Sequence, residues 1–248
     1  MIDKNERFMQ ALDTVILEKR DREGIGRLGE KLVHASLKLF YEPDRACHEV
    51  KHCGFVADIL NASGVTEIQT GSFTPLKRKL EAFLPLTSVR VVHPVPDRKT
   101  VVWIDENGSF SEPRKSPKKR DTASVFRQLI SILPYLDNPA LTVEIVFLDV
   151  EEYRMLHPKY QKRRSVRYER VPTAYKGELV LNTPKDYLML LPVALPASFT
   201  ASEFSRLTKL RGMGASAALK VLLTLGALTR EREGRGYRYY RAIDPSVS

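Results

Sequence analysis

The sequence predicts a mixed α/β fold followed by a smaller carboxy-terminal unit of different character. Three observations carry this. Helical and strand periodicities alternate from residue 5 to about residue 150. A turn-forming segment, Asn61–Gly64, joins two β-branched runs. Past about residue 183, two short helical patterns and a basic hairpin follow a proline-punctuated apolar stretch. A chain of 248 residues with 43% hydrophobic and 28% charged residues has room for one large or two small cores. The expected division is 1–175 and 176–248.

In chain order, Phe8, Leu12, Val15 and Ile16 give a helix over 5–19, broken at Gly24-Ile25-Gly26. A second helix runs from about Ile25 to Phe40, with Leu28, Leu32, Ala35 and Leu39 as its buried stripe and Pro43 just past its end. Gly26 and Gly29 flank Glu30 and leave its carboxylate little side-chain cover. Val56–Leu60 and Val65–Thr70 then form a hairpin. An even-length loop pairs Leu60 with Val65, Ile59 with Thr66 and Asp58 with Glu67, and Gln69 joins the face of Glu67. Opposed like charges are destabilising, so two carboxylates forced together need a reason. A divalent cation such as Mg²⁺ supplies one, because it takes hard oxygen ligands from one or two carboxylates plus phosphate oxygens. The bland alternative is a polar sheet edge with both acids solvated. A helix over 74–83, entered through Pro75, comes next, followed by strands Val89–Val95 and Thr100–Asp105 and a turn at Asn107-Gly108. Helix Ala123–Leu136 and strand Leu141–Val150 continue the pattern.

The order of these features, Gly26-Arg27-Leu28-Gly29-Glu30 on a helix and then Asp58 … Glu67-Ile68-Gln69 on a hairpin, resembles the PD-(D/E)xK nuclease superfamily over roughly residues 20–105. The resemblance implies a restriction-endonuclease-like mixed sheet flanked by helices and metal-dependent hydrolysis of DNA. It makes Glu30 an outer metal ligand, Asp58 the central ligand and Glu67 the second, for Mg²⁺ or, in substitution, Mn²⁺. Gln69 stands where that family carries lysine. Glutamine is neutral and cannot donate a proton as an acid, so Lys77 or Lys79 of the following helix is a candidate for the missing charge. A nuclease fold that binds DNA without cutting it is the alternative from another class.

In the carboxy-terminal unit, Thr200-Ala201-Ser202-Glu203 is a capping-box signature opening a helix to about Leu210. Gly212-Met213-Gly214 makes a turn. A second helix spans Ala215–Leu225, with Ala218, Val221, Leu222 and Leu225 on its apolar side. Leu228–Glu233 and Tyr237–Ala242 form a hairpin around Gly234-Arg235-Gly236. The whole, about residues 183–243, resembles a winged helix-turn-helix. On that resemblance Arg211, Ser216 and Lys220 face bases in the major groove, and Arg230, Arg232, Arg235 and Arg238 meet phosphates. Such modules also serve as protein-docking or dimerisation surfaces. A homodimer suits double-strand cleavage, which needs two sites.

Net charge is +10 and the isoelectric point about 9.6, which favours a polyanionic partner, here DNA. The basic runs Pro113–Arg120 and Lys159–Arg170 suit either a phosphate backbone or solvent. No stretch of ~18 apolar residues spans a membrane, and Met1–Arg7 lacks the apolar core of a secretory signal. Cys47 and Cys53, if joined by a strand, stand ~20 Å apart, out of disulfide reach. A cytoplasmic, reducing compartment is expected. His48-Glu49-Val50-Lys51-His52 matches the H-E-x-x-H pattern of zinc peptidases. That chemistry requires a helix, and on a strand the two histidines are ~13 Å apart, too far for one metal.

Overall fold

The structure, a computed structural model, describes residues 3–23, 31–105, 107–117, 120–156 and 165–242. The chain is a mixed α/β protein. Its elements in order are α1 (Lys4–Glu23), α2 (Lys31–Tyr41), β1 (His48–His52), β2 (Phe55–Asn61), β3 (Gly64–Ile68), α3 (Leu76–Phe83), β4 (Val89–Ile104), β5 (Arg114–Lys115), α4 (Phe126–Leu129), β6 (Leu141–Leu156), β7 (Ser165–Leu181), β8 (Ser198–Thr200), α5 (Ala201–Thr208), α6 (Met213–Thr224), β9 (Leu228–Glu233) and β10 (Gly236–Arg241). A seven-stranded mixed sheet has the order β1-β2-β3-β4-β6-β7, with β5 paired to β4, and a second sheet has the order β8-β10-β9.

The chain divides into two compact units, and neither is a single run. The first comprises 1–70, 90–120 and 144–179; the second comprises 71–89, 121–143 and 180–248. The boundary expected near 175 therefore falls close to one crossing of the chain, and the second unit also takes in two earlier segments.

In the first unit, α1 turns Phe8, Leu12 and Val15 inward, as its spacing predicts; Ala11 is buried as well, and Ile16 only partly. The stripe expected on α2 is only half of its buried surface. Leu32 packs with Leu12 and Val15, and Ala35 and Leu39 lie against that cluster. Val33, Leu37 and Phe40 instead join Phe8, Ile68, Val92, Val146, Leu148 and Tyr175 in the main core. A helix wedged between another helix and a sheet buries two faces, and a single-stripe reading sees one. Each fully buried Phe or Leu here contributes roughly 1.5–3 kcal/mol.

The β1–β2 turn, Cys53-Gly54, has both residues at positive φ, as a two-residue hairpin requires. The β2–β3 turn is Ala62-Ser63, with the Asn61 side chain accepting the Ser63 N–H. The pairs Asn61↔Gly64, Leu60↔Val65 and Ile59↔Thr66 follow the expected register. The two strands expected over 89–105 are one, because β4 runs unbroken through Pro94 and Pro96. The Val92 carbonyl accepts the Gln69 N–H at 2.8 Å. Pro94 and Pro96, two and four residues on, put their missing donors on the edge where β3 has already ended, so no ladder bond is lost there.

In the second unit, the helix expected over 123–136 is broken. α4 is a single turn between 3₁₀ segments, with Pro134 inside the second. The capping box forms: Thr200 Oγ1 accepts the Glu203 N–H and Glu203 returns a bond to the Thr200 N–H. Replacing Thr200 with alanine is expected to cost about 1 kcal/mol, read as a fall of about 2–4 °C in Tm. β8, not anticipated from its three residues, adds Phe199 to a stack with Tyr239 and Phe204. α6 buries Gly214, Ala215, Ala217, Ala218, Leu219, Val221 and Leu222, more than the expected side. Ser216 and Lys220 remain exposed one turn apart.

Candidate functional site

α2 presents His34 and Lys38 one turn apart to the strands beside it. His34 Nε2 lies 3.2 Å from Asp58 Oδ2. The same oxygen accepts the Ile68 N–H at 2.8 Å, just where the β2–β3 pairing ends. Lys38, almost fully buried, donates to Glu49 Oε1 at 2.7 Å. The β1–β2 register, His48↔Ile59 and Val50↔Ala57, sets Glu49 across from Asp58. Thus Asp58 has the Glu49 carboxylate on its β1 side, and two basic side chains of one helix answer the pair; the expected Asp58–Glu67 pair is not among the β2–β3 pairs, which end at Ile59↔Thr66. The Lys38 hydrogen bond and charge hold the Glu49 carboxyl below the usual carboxylate range. Asp58 opposes that effect and His34 adds to it. Glu49 also has φ +52°, a left-handed conformation rare for a non-glycine residue in a strand. Strain of this kind costs about 1–3 kcal/mol and concentrates at functional positions.

Glu67 is buried on β3 at 2% exposure, where a carboxylate is stable only when its charge is answered. Gln69 lies two residues on, just past the end of β3. Its carbonyl accepts His93 Nδ1–H at 2.6 Å, and burial lowers the His93 pKa, favouring the neutral ring. Carboxylates of Asp58 and Glu67 are donors of the type Mg²⁺ uses. Among the described residues, no group of three His, Cys, Asp or Glu side chains is close enough to hold a metal. Glu30, the third ligand implied by the resemblance, lies outside the described residues. Lys77 is exposed on α3, in the second unit.

His48 and His52 lie on β1, at the two ends of a strand and not on a helix. That geometry removes the zinc-peptidase reading, and His48 Nε2 instead donates to the Glu42 carbonyl at 2.7 Å. Lys38 and His34 were not singled out from sequence, and Glu49 entered only as part of the H-E-x-x-H string. The available signal was the four-residue spacing of Glu30, His34 and Lys38, which a single helix face would display.

Of the expected DNA contacts, Arg211, Arg230, Arg232 and Arg235 are exposed. Arg230 lies 4.4 Å over the Tyr237 ring, and Arg238 bonds Glu233 at 2.8 Å, which offsets its charge locally. In the basic run 159–170, residues 159–164 lie outside the described residues, but Arg170 is in β7. There it helps surround Glu152, a carboxylate 1% exposed on β6. Arg170 Nη2 is 2.8 Å from it, Arg154 Nε 2.7 Å and Lys99 Nζ 3.5 Å. Burial alone raises the pKa of that acid, yet the hydrogen bonds from Arg170 and Arg154 and the Lys99 charge outweigh it and hold the carboxyl at about 2.

No helix among the described residues is long and apolar enough to cross a membrane. No solved structure matches the chain. An uncharacterized protein of Treponema pallidum (strain Nichols) is 31% identical over 139 residues, which are 54% of this chain and 55% of that protein. The match thus spans about half the length of the relative. A family model matches residues 31–182, from the first residue of α2 through β7 and so across the whole Asp58 region. The chain belongs to the family described as Domain of unknown function (DUF8091).

Proposed function

We propose that the chain is a metal-dependent endonuclease that hydrolyses phosphodiester bonds in DNA, on a restriction-endonuclease-like core with a carboxy-terminal winged helix-turn-helix. One observation carries the reading. Asp58 is held between the Ile68 N–H and His34 at the point where β2 and β3 part, with buried Glu67 on the neighbouring strand. A carboxylate fixed on two sides is preorganised, as a metal ligand must be. The element order supports the fold: a helix, three consecutive antiparallel strands, a helix and a central strand. The order β8-α5-α6-β9-β10 likewise supports a winged helix.

In this reading Glu30, Asp58 and Glu67 would hold Mg²⁺ or Mn²⁺, and the bound ion would supply water activation and charge to offset that on the transferring phosphoryl group. His34 orients Asp58 through its Nε2–H. Gln69 positions water or a phosphate oxygen by hydrogen bonding. Lys38, buried and bonded to Glu49, supplies a positive charge that a neutral glutamine does not. Arg211, Ser216 and Lys220 of the helix-turn-helix, with the hairpin arginines, contact DNA.

The test is cleavage of supercoiled plasmid and branched DNA with Mg²⁺ or Mn²⁺, against the same reactions with chelator. Nicking that requires the metal is expected, and intact DNA in every metal overturns the reading. Gln69→Lys is expected to preserve the rate, and Gln69→Ala to lower it by roughly 10²–10³, the loss typical of one positioned transition-state donor. An inert wild type switched on by Gln69→Lys would instead make the chain a DNA-binding protein on a nuclease fold that no longer cuts.

A further inference from the structure

Four cations line one cleft of the first unit. β4 contributes Arg98 and Lys99, β5 contributes Lys115, and Arg120 lies just beyond, around a volume of about 570 Å³. Thr100, Ser116 and Thr173 add hydroxyls to the wall. The strands fix this grouping. Thr100 pairs with Lys115, and the Ser116 N–H donates to the Lys99 carbonyl at 2.7 Å. Arg120 is clamped twice, by Asp97 on its Nε at 2.6 Å and by the Phe147 ring 3.9 Å from its guanidinium carbon. The two acids of the wall are both engaged, Asp97 with Arg120 and Asp149 with the Arg98 backbone N–H at 3.0 Å. Lys99 is drawn inward toward Glu152, whose charge is already answered by Arg154 and Arg170. The wall therefore carries four positive groups against two negative ones.

Cations gathered around a concavity repel one another and concentrate anions. A guanidinium preorganised by a carboxylate and a ring, flanked by ammonium and hydroxyl donors, matches phosphate oxygens. The volume far exceeds what one inorganic phosphate needs and falls in the range of sites for ligands of several rings. Its position along β4 is informative. His93, bonded to Gln69, and Asp97, at the edge of the cleft, are four residues apart on one strand, about 13 Å. Phosphates along one strand of B-form DNA rise about 3.4 Å each, so the interval from the Gln69 partner His93 to the cleft edge corresponds to roughly four phosphates.

We propose that this cleft binds the phosphodiester backbone of a nucleic-acid strand, flanking the point at which the Asp58 site acts. The assignment of the strand as a substrate rests on the nuclease reading; the binding itself does not. The experiment uses the full chain in chelator, so cleavage is not read. Anisotropy of a fluorescently labelled single strand and a labelled duplex is followed over a range of salt concentrations. Arg98→Gln with Lys115→Gln removes two exposed cations, and an unchanged Tm shows that folding is intact.

Each lost phosphate contact is expected to lower the log–log salt slope by about 0.7 on the single strand or about 0.9 on the duplex. The double variant should therefore lose about 1.4 or about 1.8. An unchanged slope in the double variant overturns the proposal. A nucleoside 5′-monophosphate and inorganic phosphate, titrated as competitors at fixed ionic strength, separate the two sources of a phosphate group. Failure of both to displace the strand supports a backbone site. Displacement that disappears in the double variant assigns the cleft to small phosphates and overturns the backbone assignment. A wild type that binds with the expected slopes but never cuts sinks the catalytic reading and leaves this one standing.

Discussion

Replacing Asp58 with asparagine is expected, on the proposed nuclease reading, to lower metal-dependent cleavage by on the order of 10³ or more, at or beyond the upper end of what one preorganised transition-state group supplies. The variant keeps an oxygen able to accept the Ile68 N–H, so the effect falls on chemistry and not on folding. Asp58→Ala behaves differently. Viewed only as the relief of carboxylate repulsion, that change would leave the apo protein as stable or more so. Instead it strips the Ile68 amide and His34 of their acceptor, at a cost of about 1–3 kcal/mol for a partly buried donor left without one. Rates of nicking and thermal melts of both variants check this. An asparagine variant that cuts as fast as wild type would remove Asp58 from the site.

The hairpin carrying Asp58 was legible because its signals are local. Asn61, Ser63 and Gly64 specify the turn, and the β-branched runs beside them specify the register, so the pairs Leu60↔Val65 and Ile59↔Thr66 followed from sequence alone, whereas the expected Asp58–Glu67 pair is not among those formed. The capping box at Thr200 was legible for the same reason. What surrounds Asp58 was not, because Lys38 and Glu49 meet only when a helix packs across two strands. Glu49 was further obscured by its place inside an H-E-x-x-H string, where its neighbours suggested other chemistry. The unity of β4 was hidden by Pro94 and Pro96. Prolines argue against a strand unless the adjoining edge is open, and only the tertiary structure reveals that β3 stops at Ile68. β8 is too short to stand out and becomes a strand only through pairing with β10.

Removing the Glu152 carboxylate is expected to give a large loss of stability for a single charged side chain of the sheet. Glu152 stands on the strand between β4 and β7, which bring Lys99 and Arg170 to it from either side, and Arg154 lies two residues along on the same face. Without it, three cations lose the carboxylate that answers them in common within a partly buried space. Breaking a buried charge cluster from one side costs 3–5 kcal/mol, and the partial exposure of the two arginines puts Glu152→Ala near the lower figure, about 3 kcal/mol. That corresponds to a fall of about 6–12 °C in Tm for a chain of this size. The pH dependence has a definite sign. The carboxyl is held at about 2 in the folded protein, below its ordinary value of 4.5. Its stabilisation is therefore fully present above about pH 4.5 and is lost as the pH falls toward 2. Acid melts of wild type should steepen across that window, and those of Glu152→Gln should be flatter there. Matching acid limbs would contradict the assignment.

The way the second unit is assembled has a consequence during synthesis. The first unit has all of its segments once Leu179 has been made, whereas 71–89 and 121–143 must wait for 180–248. In the interval those two segments carry Phe73, Leu76, Leu80, Phe83, Phe126 and Leu129, all destined for full burial, without the remainder of their own unit. At 5–20 residues per second, the roughly 70 residues still to come take about 4–14 s. A ribosome stalled past Leu179 would thus hold a nascent chain whose first unit has all its segments and whose other half is a sticky fragment, the state in which a chaperone would find it.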